Sequence, residues 1–175
     1  MPRTLLDRIG FDTLAKLEAA ATRRYAEAGQ LAADEPLGAL YLYGYTIEMR
    51  LKAAYYRLAG VPEYWDIEMP IPPNPSSPRK VAQNAIKHLS GLTHAGEAGH
   101  NLAGWSQLLI QARSAHALGA FDPAFERALG DHVRAAARQW REILRYRANR
   151  PYDSEAADVT SAARWIKTRY RRLWS

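Results

Sequence analysis

The sequence predicts an all-α protein, a single up-down bundle of five to six helices in one domain over residues 1–175. Three observations carry this. Apolar residues recur every three or four positions through almost every segment, and no stretch shows the alternation of a half-buried strand. Capping residues, glycines and prolines punctuate those segments where helices would start and stop. The composition, 47% hydrophobic and 24% charged, is that of a chain able to bury a core.

The first helix is expected over about 11–29, with Phe11, Leu14, Leu17, Ala21 and Tyr25 inward and Gly29 near its end. The second runs over about 35–59, with Asp34 as its cap, Pro36 in its first turn, and Gly60 and Pro62 closing it. Along it, Leu37, Leu40, Gly44, Leu51, Tyr55 and Leu58 form a narrow apolar stripe at about 100° per residue. The stretch "MPIPPNPSSP", residues 69–78, has five prolines in ten positions and reads as a surface loop. Ser77-Pro78 starts a third helix that ends near Gly91, and "THAGEAGH" is a glycine-punctuated turn. A helix follows from about 100 to 118. Asp122-Pro123 opens another, helical to Tyr146 unless Gly130-Asp131 breaks it. "ANRPYDS" separates a last helix over 154–173, capped by Ser154 or Asp153.

No apolar run approaches the roughly 18 residues of a membrane span, and "MPRTLLDRIG" lacks the continuous apolar stretch of a signal peptide. The chain has no cysteine, which excludes thiol chemistry and fits a cytoplasmic protein. Its five histidines form no HxxxH pattern, and no phosphate-cradling glycine loop or GxSxG turn is present. Neither a metal nor a cofactor is expected.

Charge is unevenly placed. Residues 1–126 hold 12 Lys and Arg against 13 Asp and Glu, whereas residues 127–175 hold 12 against 5. A basic C-terminal third invites a polyanionic partner, nucleic acid first. Within it, Arg134, Arg138, Arg141 and Arg145 recur at spacings 4, 3 and 4 and would form one helical stripe able to hold an anion. Arg127 and His132 could meet at one phosphate only if the helix broke at Gly130-Asp131, because on a continuous helix they diverge by about 140°. Arg169, Arg171 and Arg172 fall in a helix's last turn, where the macrodipole favours cations.

On the second helix, Glu48 sits inside the apolar stripe. A buried carboxylate needs partners. Lys52, four residues on, stands in the favourable orientation for an ion pair. A second partner is expected from another helix, His100 or Arg145, making a polar lock between helices. Gly44, on the same face, would let another backbone or a dimer partner approach closely.

Three pieces, "GYTIEMRLKA" (44–53), "GHNLAGW" (99–105) and "WREILRY" (140–146), together resemble the HEPN family of small prokaryotic helical bundles. The resemblance implies a bundle that commonly dimerises, with functional residues near the dimer cleft, in a defence, toxin-antitoxin or stress system. It further implies one of two activities. The chain would be a binder of RNA or nucleotide, or a companion of a nucleotidyltransferase or antitoxin protein. Alternatively it would be a metal-independent ribonuclease using an Arg-x4–6-His motif, here Arg127 and His132. Position 128 is Ala, where the family usually has a polar residue.

Overall fold

The computed structural model describes residues 12–141, 144 and 150–175, and within them it is all-helical. Seven α-helices are present among the described residues: α1 (Leu14–Leu31), α2 (Pro36–Leu58), α3 (Pro78–Ser90), α4 (Ala95–Gly99), α5 (Leu102–Ala115), α6 (Pro123–Gln139) and α7 (Asp153–Arg169). A 3-10 turn over Tyr170–Leu173 follows α7. No described helix is long and apolar enough to cross a membrane. Phe11 and Arg145 lie outside the described residues, as does part of "WREILRY".

α2 is the central helix, packed against α1, α5, α7 and the 3-10 turn. The stripe expected along it is only part of its buried surface. Leu40, Gly44, Leu51 and Leu58 are buried, but so are Tyr43, Ile47, Ala54 and Tyr56 on other sides. A helix surrounded by neighbours must be apolar nearly all round, and 23 residues of α2 meet that demand with few charges. α6 and α7 pack on each other, and α3 with α4 covers α5.

The expected boundaries hold for most elements, with local physical reasons. Ser77 caps α3 by accepting from Lys80 N at 3.2 Å, and Gly91 closes it at φ 64°. Asp122 caps α6 through bonds from Ala124 N (3.1 Å) and Phe125 N (3.0 Å). Other ends differ. α2 is capped at Glu35 without a side-chain bond, not by Asp34. α7 starts at Asp153, where the Glu155 carboxylate accepts from Tyr152 N at 2.7 Å. The "THAGEAGH" turn contains the five-residue α4.

Two glycines mark where elements press together. A Cβ on Gly104 of α5 would sit 2.5 Å from Ile86 Cγ2 of α3. One on Gly44 would sit 2.0 Å from Trp140 Cδ1. The expected visitor at Gly44 was a backbone or a dimer partner, but the space is filled by this chain's own indole.

The Pro-rich loop is held by turns. Trp65 Nε1 donates to Met69 O at 3.1 Å, and Asn74 N donates to Ile71 O at 2.9 Å. An isolated bridge between Thr13 and Asp66 ties the preceding segment to the start of α1.

Candidate functional site

Glu48 is 3% exposed and accepts from two groups. Lys52 Nζ donates to Oε1 at 2.5 Å, and His100 Nδ1 stands 2.9 Å from Oε2. To donate to a carboxylate, Nδ1 must carry the ring proton. His100 is held in place by its neighbours. It ends α4, one residue before Asn101, whose side chain caps α5 by accepting from Gly104 N at 2.9 Å. Trp105 Nε1 donates to Gly99 O at 3.1 Å, and the same indole lies 5.4 Å beneath Lys52 Nζ. Glu48, Lys52 and His100 thus meet, joining α2 to the α4–α5 junction. They line a cavity of about 390 Å³ between α1, α2 and the 61–79 segment.

Arg127 and His132 do not meet within the chain. α6 runs unbroken through Gly130 and Asp131, so the two side chains leave different sides of one helix. A glycine inside a helix costs about 1 kcal/mol. Phe125, Leu129, Val133 and Ala136 bury one continuous face and outweigh it. His132 lies against the Trp165 ring of α7, with centroids 5.1 Å apart. Burial lowers its pKa below the usual histidine value, nearby Arg169 acts in the same sense, and Asp131 opposes. Arg127 instead lines a hollow with Phe121, Pro123 and Arg134.

The four-arginine stripe is also corrected. α6 stops at Gln139 because Trp140 turns extended (φ −103°, ψ 129°). Its indole enters the space over Gly44 and donates to Tyr41 O at 3.1 Å. Arg141 therefore lies past the helix, leaving Arg134 and Arg138 on α6, with Arg145 outside the described residues. Arg134 is paired with Asp131.

Another group of cations lies elsewhere among the described residues. Arg50 of α2, Lys167 and Arg169 of α7, and Arg171 and Arg172 of the 3-10 turn line an open groove of about 300 Å³. The groove forms because the 3-10 turn folds back onto α2, burying Leu173 completely. Aromatic rings hold four of the five cations. Arg50 lies over Tyr170 (4.4 Å), Lys167 over Tyr25 (4.1 Å), Arg169 over Trp165 (5.0 Å) and Arg172 over Phe125 (4.4 Å). Arg50 also donates to Thr22 Oγ1 at 2.6 Å, while its Nε is buried without a hydrogen-bond partner. Among the described residues, none of the five forms an ion pair.

A half-buried acid bonded to Tyr170 is already committed. Glu18 accepts a fork from Arg57, Nε and Nη2 each at 2.7 Å, and a bond from the Tyr170 hydroxyl. Burial raises the Glu18 pKa, but the bonds from Arg57 and Tyr170 outweigh it and hold the carboxyl below the usual range. Arg57 in turn lies over the Trp174 ring. Arg50 and Arg57 lie off the apolar stripe of α2, so nothing in the sequence alone singles them out. Arg169, Arg171 and Arg172 are expected only to meet the macrodipole of one helix's last turn. The available signal was the Lys-x-Arg-x-Arg-Arg run at 167–172, but its partner Arg50 is more than a hundred residues away.

Among the described residues, no three His, Asp or Glu side chains converge closely enough to hold a metal ion. Comparison with protein-family models, with curated proteins and with solved structures finds no match.

Proposed function

We propose that this chain is a HEPN-like helical module that binds single-stranded RNA by its phosphates in the groove between α2 and the end of α7. The observation that carries the reading is that five cationic residues line one groove, none of them in an ion pair among the described residues. Cations so placed repel one another unless an anion neutralises them, and phosphate does so while releasing counterions. The rings beneath Arg50, Arg169 and Arg172 restrain these side chains before a ligand arrives, which lowers the ordering cost of holding a phosphate. The HEPN resemblance adds the setting: a prokaryotic defence, toxin-antitoxin or stress system, in which the module works as a homodimer or beside a nucleotidyltransferase or antitoxin. The reading is of a binder, and Arg127 and His132 have no part in it.

The test is fluorescence anisotropy of a short 5′-phosphorylated single-stranded RNA at several salt concentrations. About four phosphate contacts predict a slope of log K against log salt near −3, at about −0.7 for each contact. The double variant Arg169→Ala/Arg172→Ala should bind more weakly and flatten the slope by about 1.4. Arg134→Ala/Arg138→Ala should leave both nearly unchanged. Salt-insensitive binding, or a groove variant that binds like the parent, would sink the proposal.

A further inference from the structure

One groove residue is shared with a titratable group outside the groove. Arg169 lines the groove, and its Cζ lies 5.0 Å from the centre of the Trp165 ring. His132 of α6 rests on the same ring, with centroids 5.1 Å apart and planes tilted by 32°. The guanidinium and the imidazole are therefore within about 10 Å of each other, about one Debye length at physiological salt. Few other charges bear on this histidine. Burial is the largest influence lowering its pKa, Arg169 of α7 adds to it, and Asp131 of its own helix opposes. Asp131 is itself paired with Arg134. Arg172 of the 3-10 turn stands one ring further away, over Phe125, whose ring lies 5.1 Å from Trp165. α5 also packs on α6, and its one charged side chain, Arg113, is turned to the carbonyls of Gly119 and Ser175.

A phosphate held by Arg169 offsets the positive charge that His132 meets, so the ring takes up a proton more readily. By reciprocity, the protonated ring favours the bound phosphate. We infer that filling the groove is coupled to proton uptake by His132, so that RNA is held more tightly as pH falls from about 7.5 to about 5.5. The inference rests on the RNA-binding reading above and adds its regulation. His132 takes no part in holding the phosphate and acts through Arg169. Charges about 10 Å apart, at an effective dielectric between those of a protein surface and bulk water, change proton affinity about threefold.

The test has two readouts. In the anisotropy assay, RNA affinity should rise about two- to threefold between pH 7.5 and 5.5, and His132→Gln should match the parent at pH 7.5 but lose most of that rise. Proton NMR follows the His132 ring through the same range, with and without saturating RNA. Its titration midpoint should rise by about half a pH unit in the complex, while that of His88, exposed on α3, stays in place. In the free protein, Arg169→Gln should raise the His132 midpoint and leave less for RNA to add. RNA that binds without moving the midpoint, or a pH profile shared by parent and His132→Gln, would overturn the coupling while leaving RNA binding intact. Failure to bind RNA at any pH would remove both readings. If His132→Gln does not fold, the midpoint of the parent decides.

Discussion

Replacing Gly44 with alanine tests how tightly α2 and the end of α6 are joined. The new Cβ would lie 2.0 Å from Trp140 Cδ1, 2.1 Å from Nε1 and 2.3 Å from Cγ, where ordinary contacts begin near 3.4 Å. The indole must therefore retreat by more than an ångström. It has little room, being 2% exposed and set edge-on to Tyr45 at 5.4 Å. Moving it breaks the bond from Trp140 Nε1 to Tyr41 O, which costs about 1 kcal/mol, and overpacking adds about 1–3 kcal/mol. Alanine returns about 1 kcal/mol of helix propensity. The net loss is about 1–3 kcal/mol. With an m-value near 2 kcal/mol/M, the urea midpoint followed by far-UV circular dichroism should fall by about 0.5–1.5 M, with the slope unchanged. Gly29→Ala in α1 is the control. Its Cβ would meet only the Tyr43 hydroxyl at 3.7 Å, so the propensity gain should appear as a higher midpoint. A Gly44→Ala protein as stable as the parent would refute the packing argument.

Glu48→Ala should cost about 3 kcal/mol, because it leaves the half-buried Lys52 and His100 without their shared carboxylate. Thermal melting should show it, and Glu48→Leu/Lys52→Met should recover most of the loss; a double variant as unstable as Glu48→Ala would point to disrupted packing instead. His132 gives a pH dependence. Its pKa is lowered from 6.5 by burial, so the folded chain holds it neutral where the unfolded chain takes up a proton. Its contribution is whole above 6.5 and is lost as pH falls through that value toward the lowered one. Urea midpoints between pH 7 and about 5.5 should therefore fall on acidification, and His132→Gln should reduce that dependence. An unchanged dependence in the variant would contradict the assignment.

What the sequence by itself determined is local. Ser77, Asp122 and Gly91 mark helix ends because a cap or a left-handed turn involves residues three or four apart, and such signals survive in any tertiary setting. Glu48 and Lys52 were legible as a pair for the same reason, and His100 was one of two groups expected to join them. Tertiary packing decided the rest. Gly130 reads as a break in isolation, yet four buried residues on one face carry α6 through it. The stripe of arginines reads as one surface, yet Trp140 ends the helix to reach Gly44, nearly a hundred residues back. Arg50 joins Lys167, Arg169, Arg171 and Arg172 only because the 3-10 turn folds onto α2. Caps and i to i+4 pairs are written in neighbouring letters. Which cations share a groove depends on which helices pack, and that is settled by the burial of the whole core.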